Sequence, residues 1–389
     1  MNLFPDYDLN VKKVSKSSLQ DEIRKTMEMQ EKIGINAAKE MVMERLKKRG
    51  FSEEEAREIS FGKGVRVALM NSGIDITHSE IVDRFVKDNE GENFVSWTYD
   101  ADGEIRPCIA NPKNLYSILP HCLSVAGILA AKSFGILRKA GLYAIKVCDD
   151  FGHIEERAIE EALSKIREKD IDLVNMSIGF LRYKHRATGR IHDLCADLGK
   201  RIILVASAGN YGGGPSIPST FSNVLSVAAT CCVDKKDDDY HTACDFSNAW
   251  PTVDIAAPGE RLLCLDTYNS FATRDGTSVA APIITGILGM AVAYLKTRNR
   301  LLIRDGKPAE EIDPLKLEQI LKDTACRKER RVLKEDNQRD EIEEAYKKHF
   351  GFDLINGNLT AEDFTDFVLG AGRVNAAKFI EKILERYVI

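Results

Sequence analysis

Asp275-Gly276-Thr277-Ser278-Val279-Ala280-Ala281-Pro282 is the stretch on which the reading of this chain turns. Small residues make a turn, and the turn runs into an apolar stretch that stays uncharged to Leu295. That stretch is long enough to span a bilayer. Gly, Ser, Thr and Pro dilute it, so it is read as a buried core helix. Ser278 stands at the opening of the helix, where unpaired N–H groups and the macrodipole stabilise negative charge. A hydroxyl there also has a plainer use, because Ser and Thr are common N-caps. Taken alone, the segment favours the cap.

Two further segments shift that balance. Pro120-His121-Cys122-Leu123-Ser124-Val125-Ala126-Gly127 sets a histidine at the start of an apolar helix. Val205-Ala206-Ser207-Ala208-Gly209-Asn210-Tyr211-Gly212 puts an asparagine just past an apolar strand, inside a glycine-rich loop. A lone histidine of this kind is structural, and Asn with Gly suits a turn that needs positive φ. The asparagine also reads as an amide donor for an oxyanion.

Outward from these segments the chain has the texture of a large α/β protein. It has 389 residues, 44% hydrophobic and 30% charged, enough to bury a sizeable core. With 55 basic and 60 acidic residues the net charge is -5, so neither nucleic acid nor a membrane surface is an expected partner. The segment Met1 to Asp8 shows no basic or apolar leader, so no signal peptide is expected. Nine cysteines are scattered without a CxxC pair, which points to a reducing, cytoplasmic setting rather than disulfides or zinc.

Val65–Met70, Leu142–Val147, Leu173–Met176, Ile202–Ala206 and Val224–Ala228 are apolar throughout, as buried parallel strands are. Helical patterns lie between them, at about 121–132, 155–168, 190–199 and 277–298. The rhythm predicts an α/β fold: a doubly wound, mostly parallel sheet in three α/β/α layers over residues 61–389. Residues 1–60 predict a helical extension with no strand. In it, Ile35, Ala38, Val42 and Leu46 share a helix face, and Ser52 with Glu55 has capping-box spacing. The charged run near 327–350 predicts a solvated insertion.

Together the motifs resemble the subtilisin-like serine protease family. Gly276 to Pro282 is similar to its nucleophile block, and His121 to Gly127 to its histidine block. Ala208-Gly209-Asn210 resembles its oxyanion segment, and Val174-Asn175-Met176-Ser177-Ile178-Gly179 its substrate-lining strand. Asp254 to Gly259 and Gly370 to Ala376 resemble two more segments, all in the family's order. The resemblance implies a subtilisin-like fold and a peptidase that needs no cofactor. It casts Ser278 as nucleophile, His121 as base and Asn210 as oxyanion donor. Ser177, Ile178, Gly179 and Gly209 would line a peptide or protein substrate. Family members often bind calcium, but Asp149, Asp150 and Asp237-Asp238-Asp239 lack a diagnostic ligand spacing, so no metal is expected.

The chain departs from the family at the first catalytic block. Asn71-Ser72-Gly73-Ile74-Asp75 puts Asn71 where the resemblance implies a catalytic aspartate, and Cys122, Leu123 and Ser124 alter the histidine block. An asparagine cannot stabilise an imidazolium by charge, and its amide NH₂ favours the wrong histidine tautomer. In serine proteases the Asp→Asn exchange costs about 10⁴ in kcat. Asp75, across a glycine turn, reads as a local structural residue. Two functions remain open: an attenuated serine endopeptidase, and an inactive pseudoprotease that binds peptides or regulates.

Overall fold

Strands covered on both faces need apolar residues on both sides of the pleat, and helices laid over them need one apolar stripe each. The computed structural model describes residues 10–86, 97–99, 105–107, 119–148, 154, 156–181, 188–231, 242–327 and 368–389. The described chain begins with β1 (Lys12–Val14), α1 (Leu19–Lys32), α2 (Ile35–Lys47) and α3 (Glu53–Ser60). It continues through β2 (Arg66–Asn71), β3 (Trp97–Tyr99), β4 (Ile105–Pro107), α4 (His121–Ala130), β5 (Gly141–Lys146), α5 (Glu156–Ile166) and β6 (Leu173–Met176). Next come β7 (Phe180–Leu181), α6 (Thr188–Leu198), β8 (Ile203–Ser207), β9 (Ser216–Ile217), β10 (Leu225–Thr230) and β11 (Ile255–Pro258). The hairpin β12 (Leu262–Asp266) and β13 (Ser270–Arg274) leads into α7 (Thr277–Arg304), then α8 (Pro314–Asp323) and α9 (Ala376–Arg386).

The main sheet runs β11-β10-β8-β6-β2-β5-β3-β4. Its pairs are parallel, except for β3 with β4 at the edge. Its two faces are read directly from the pleat. Val67 and Leu69 of β2 pack with α4 and α7, while Ala68 and Met70 pack with α5 and α6. This is the expected doubly wound, three-layer arrangement. The chain leaves β2 for β5 on one side and returns to β6 on the other. Such a switch point opens a crevice beyond the strands' carboxyl ends.

The apolar stretch from Gly276 becomes the front of α7, which runs through the core with Ile283, Ile284, Ile287, Leu288 and Tyr294 fully buried. Among the described residues, 10–60 are mainly helical. α2 buries Ile35, Ala38, Val42 and Leu46 at 0% exposure, and Ser52 and Glu55 make both bonds of the capping box. The expectation of no strand here is wrong. β1 adds to the edge of β13 in antiparallel register, Lys12 opposite Thr273 and Val14 opposite Phe271. The unpaired backbone of the β13 edge specifies that strand, not any alternation in Lys-Lys-Val. Asp149, Asp150, the 237–239 run and all but Arg327 of the charged insertion lie outside the described residues.

Because α2 contributes four wholly buried apolar side chains, the segment's packing is part of the core. Leu46→Ala is expected to cost about 2–5 kcal/mol of stability, read as a lower midpoint in urea unfolding. A change under about 0.5 kcal/mol would show that the segment unfolds apart from the rest.

Candidate active site

Asn71 is the last residue of β2, at the switch point, and is fully buried. Its Oδ1 accepts the Ser72 backbone N–H at 2.7 Å and lies 2.6 Å from His121 Nδ1. Its Nδ2 reaches toward the Ser177 carbonyl, just past β6, at 3.5 Å. A backbone N–H can only donate, so the carboxamide must turn its oxygen toward Ser72 and therefore toward the ring. The imidazole then carries its proton on Nδ1 and keeps the Nε2 lone pair. The sequence led to the opposite expectation, the wrong tautomer. The local hydrogen bonds overturn it.

His121 opens α4, whose N-cap is Pro120 and has no side chain able to cap. Ser72 Oγ fills part of that gap, accepting the Cys122 N–H at 3.2 Å. Neighbouring residues thus hold both ends of the histidine: Asn71 the ring and Ser72 the helix start. The ring is 6% exposed, and burial, with the Arg274 guanidinium adding to it, holds its pKa down at about 3. Arg274, at the end of β13, is itself buried and pairs with the buried Asp266 at 3.4 Å. Asp75 is engaged elsewhere. Its Oδ1 accepts the Thr77 N–H at 2.9 Å and the Thr77 hydroxyl at 2.6 Å, an Asx turn.

The turn before Ser278 depends on Gly276, whose φ of 146° suits glycine alone. Asn210 Oδ1 accepts both the Thr277 N–H at 2.9 Å and the Thr277 hydroxyl at 2.8 Å. That fixes the amide with Nδ2 free to donate. A methyl group placed on Gly276 would lie 3.3 Å from Asn210 Nδ2 and 3.6 Å from the Ser278 nitrogen, so both N–H groups border the same space. Gly209, at φ 110°, passes against Asn248, which binds the loop through the Ala208 and Gly214 carbonyls at 3.0 Å each.

Pro282 sits inside α7 and has no N–H to give the Ser278 carbonyl four residues back. Ser177 Oγ donates to that carbonyl at 2.8 Å instead. The structure therefore gathers Asn71, His121, Ser177, Asn210 and the Ser278 turn at one end of the sheet. Ile178 is buried and Gly179 half-buried beyond β6. Among the described residues Ser278 Oγ makes no hydrogen bond to the His121 ring. Catalytic hydrogen bonds of this kind commonly form only on substrate binding. No group of His, Cys, Asp or Glu among the described residues could hold a metal.

Sequence reading missed Ser72 as a helix cap, the Pro282–Ser177 relation, Asn248 and Arg274. The proline inside a helical pattern was a usable signal. Arg274 and Asn248 reach the site only through tertiary contacts. Asn10 was also missed: its Nδ2 donates to Asp275 Oδ2 at 2.6 Å, beside the Ser278 turn.

The peptidase S8 profile, the subtilase family, matches residues 62–352. Thermitase of Thermoactinomyces vulgaris is 25% identical over 262 residues, covering 66% of this chain and 85% of that one. An intracellular serine protease of Paenibacillus polymyxa is 29% identical over 241 residues, covering 59% and 67%. Among solved structures, the prenylagaramide maturation protease PagA superposes with a TM-score of 0.57 at 18% identity, covering 85% of this chain and 97% of its own. That likeness is one of fold. The profile match and the motif order at this crevice agree: the chain belongs to the subtilase family.

Proposed function

We propose that this chain is a slow serine endopeptidase working through an acyl-enzyme, with Ser278 as nucleophile and His121 as base. Asn210 Nδ2 and the Ser278 N–H hold the oxyanion, and Asn71 orients the imidazole without charging it. Ser177, Ile178, Gly179 and Gly209 line the bound peptide. The reading places the protein in the cytoplasm, with residues 1–60 an extension and 61–389 the peptidase domain. The observation that carries it is the 2.6 Å approach of Asn71 Oδ1 to His121 Nδ1, which leaves Nε2 as the nitrogen able to accept a proton.

In this mechanism Ser278 Oγ attacks the scissile carbonyl and its proton moves to Nε2. The same proton then goes to the leaving amine, and water reverses the sequence on the acyl-enzyme. The weak point is the imidazolium formed midway. A carboxylate at Asn71 would stabilise it by about 4 kcal/mol, taking charges about 4 Å apart at an effective dielectric of about 20. That is roughly 10³ in rate. The Arg274 guanidinium acts in the same unfavourable direction. This pair of effects also favours the second reading, a pseudoprotease whose crevice binds peptide without cleaving it.

A fluorophosphonate probe separates the two. Slow labelling that Ser278→Ala abolishes is expected, and no adduct after long exposure leaves the pseudoprotease. Asn71→Asp is expected to raise kcat/KM on a peptide substrate by about 10²–10³, short of the 10⁴ that a wrong tautomer would account for. A gain of the full 10⁴ or more would contradict the oxygen-in orientation of Asn71.

A pH series gives a further check. The base acts only when neutral, so activity falls as pH drops through its pKa. With that pKa held at about 3, the acid limb should lie well below the ordinary histidine value of 6.5. In Asn71→Asp the new carboxylate favours the imidazolium and should move the limb upward. Equal limbs in both proteins, or histidine titration near 6.5 in the native chain by NMR, would reject this account.

A further inference from the structure

Cations that the peptidase reaction does not use collect where the N-terminal segment meets the body. A cavity of about 420 Å³ lies there. Arg57 of α3 lines one side, and Arg84, Lys132, Arg138 and Lys139 come from the body. Two of these are already neutralised. Lys132 pairs with Asp83 at 2.7 Å, and Lys139 with Glu58 at 2.8 Å. Glu58, which also lines the cavity, is taken again by Lys63 at 2.6 Å, and these two lysines hold it at about 2. The other lining carboxylate, Glu54, is exposed.

The remaining charges are not balanced. Among the described residues no carboxylate reaches Arg57, Arg84 or Arg138 at ion-pair distance. Arg84 donates one Nη to the Arg138 carbonyl at 2.6 Å, and its Nε is buried with no acceptor. Arg138 spends its groups on the Gly135 carbonyl and the Met27 sulfur. Phe61, also in the lining, has the Arg138 guanidinium 5.1 Å from its ring centroid and Lys39 Nζ at 4.3 Å. Lys39 is 5% exposed and has no described hydrogen-bond acceptor; burial first, and then Arg138, hold it at about 7. Glu80 acts on Arg138 from the body side, yet the cations around the cavity outnumber its carboxylates, and such an excess costs stability unless an anion joins them.

We propose that this cavity binds a small multivalent oxyanion of the pyrophosphate type, bridging α3 to the segment between α4 and β5. The volume suits a small ligand rather than a peptide or polynucleotide. Guanidinium forks match phosphate geometry, and Arg57 and Arg138 beside Phe61, with Arg84, supply the charge from the cavity lining. Binding would tie the N-terminal segment to the body at a place remote in sequence from the Ser278 turn.

The test uses the full chain, with inorganic pyrophosphate as probe and ionic strength held constant with NaCl. A saturable rise in melting temperature and one-site calorimetric binding are expected. Arg57 is exposed, so Arg57→Gln should fold normally. It should weaken binding by about tenfold, the usual loss of one charge-assisted hydrogen bond. Arg138→Gln should weaken it at least as much, while Lys382→Gln, at an exposed position of α9 outside the cavity lining, should leave it unchanged. The proposal is overturned by a shift that NaCl alone reproduces, by unsaturable binding, or by native affinity in both arginine variants. Citrate binding more tightly than pyrophosphate would overturn the phosphate assignment.

Discussion

The site is organised by one buried carboxamide. Asn71 lies where the chain crosses between β5 and β6, and its oxygen meets a backbone donor on one side and an imidazole on the other. Ser72 reaches past it to the first turn of α4, and the amide nitrogen looks to the end of β6. A strand end, a helix start and a loop are thereby registered against one another. Because a backbone N–H cannot accept, the arrangement has one orientation, and the tautomer of His121 follows from it.

That constraint separates two jobs that a catalytic carboxylate does together. Orientation of the ring survives the replacement of a charge by an amide, because geometry alone supplies it. Stabilisation of the imidazolium does not survive, because it needs charge in a place that burial has made low in dielectric. Arg274 sharpens the contrast, since its charge also disfavours the imidazolium while its own counter-ion, Asp266, is buried beside it. The surroundings of His121 thus favour its neutral form over its protonated one.

The start of α7 shows a similar economy. Pro282 withholds the N–H that would close the first turn on the Ser278 carbonyl, and Ser177 completes it from another strand. Thr277 and Asn210 are joined by two hydrogen bonds, which turn the amide nitrogen of Asn210 toward the Gly276 turn. These links come from elements far apart in the chain, so their geometry depends on the whole sheet. The N-terminal segment adds to the same body through α2 and through β1 on the β13 edge.

The sequence by itself determined the sheet and its covering helices. Val, Ile, Leu and Ala runs of strand length admit few other arrangements, and the 3.6-residue stripe of Ile35, Ala38, Val42 and Leu46 fixes which face of α2 is buried. It also pointed to candidate site residues, since Ser278, His121 and Asn210 lie in segments whose order and local turns are readable. Three-residue β1 was not legible, because its partner's free edge specifies it. The hairpin β12–β13 with Arg274, and the grip of Asn248 on the loop around Asn210, were likewise out of reach, because no local periodicity encodes a contact between distant elements. Only the tertiary structure decided which way the Asn71 amide faces. Asn and Asp differ by one terminal group, and the donors and acceptors around that group, brought together by the parallel packing of β2 and β6, set its orientation.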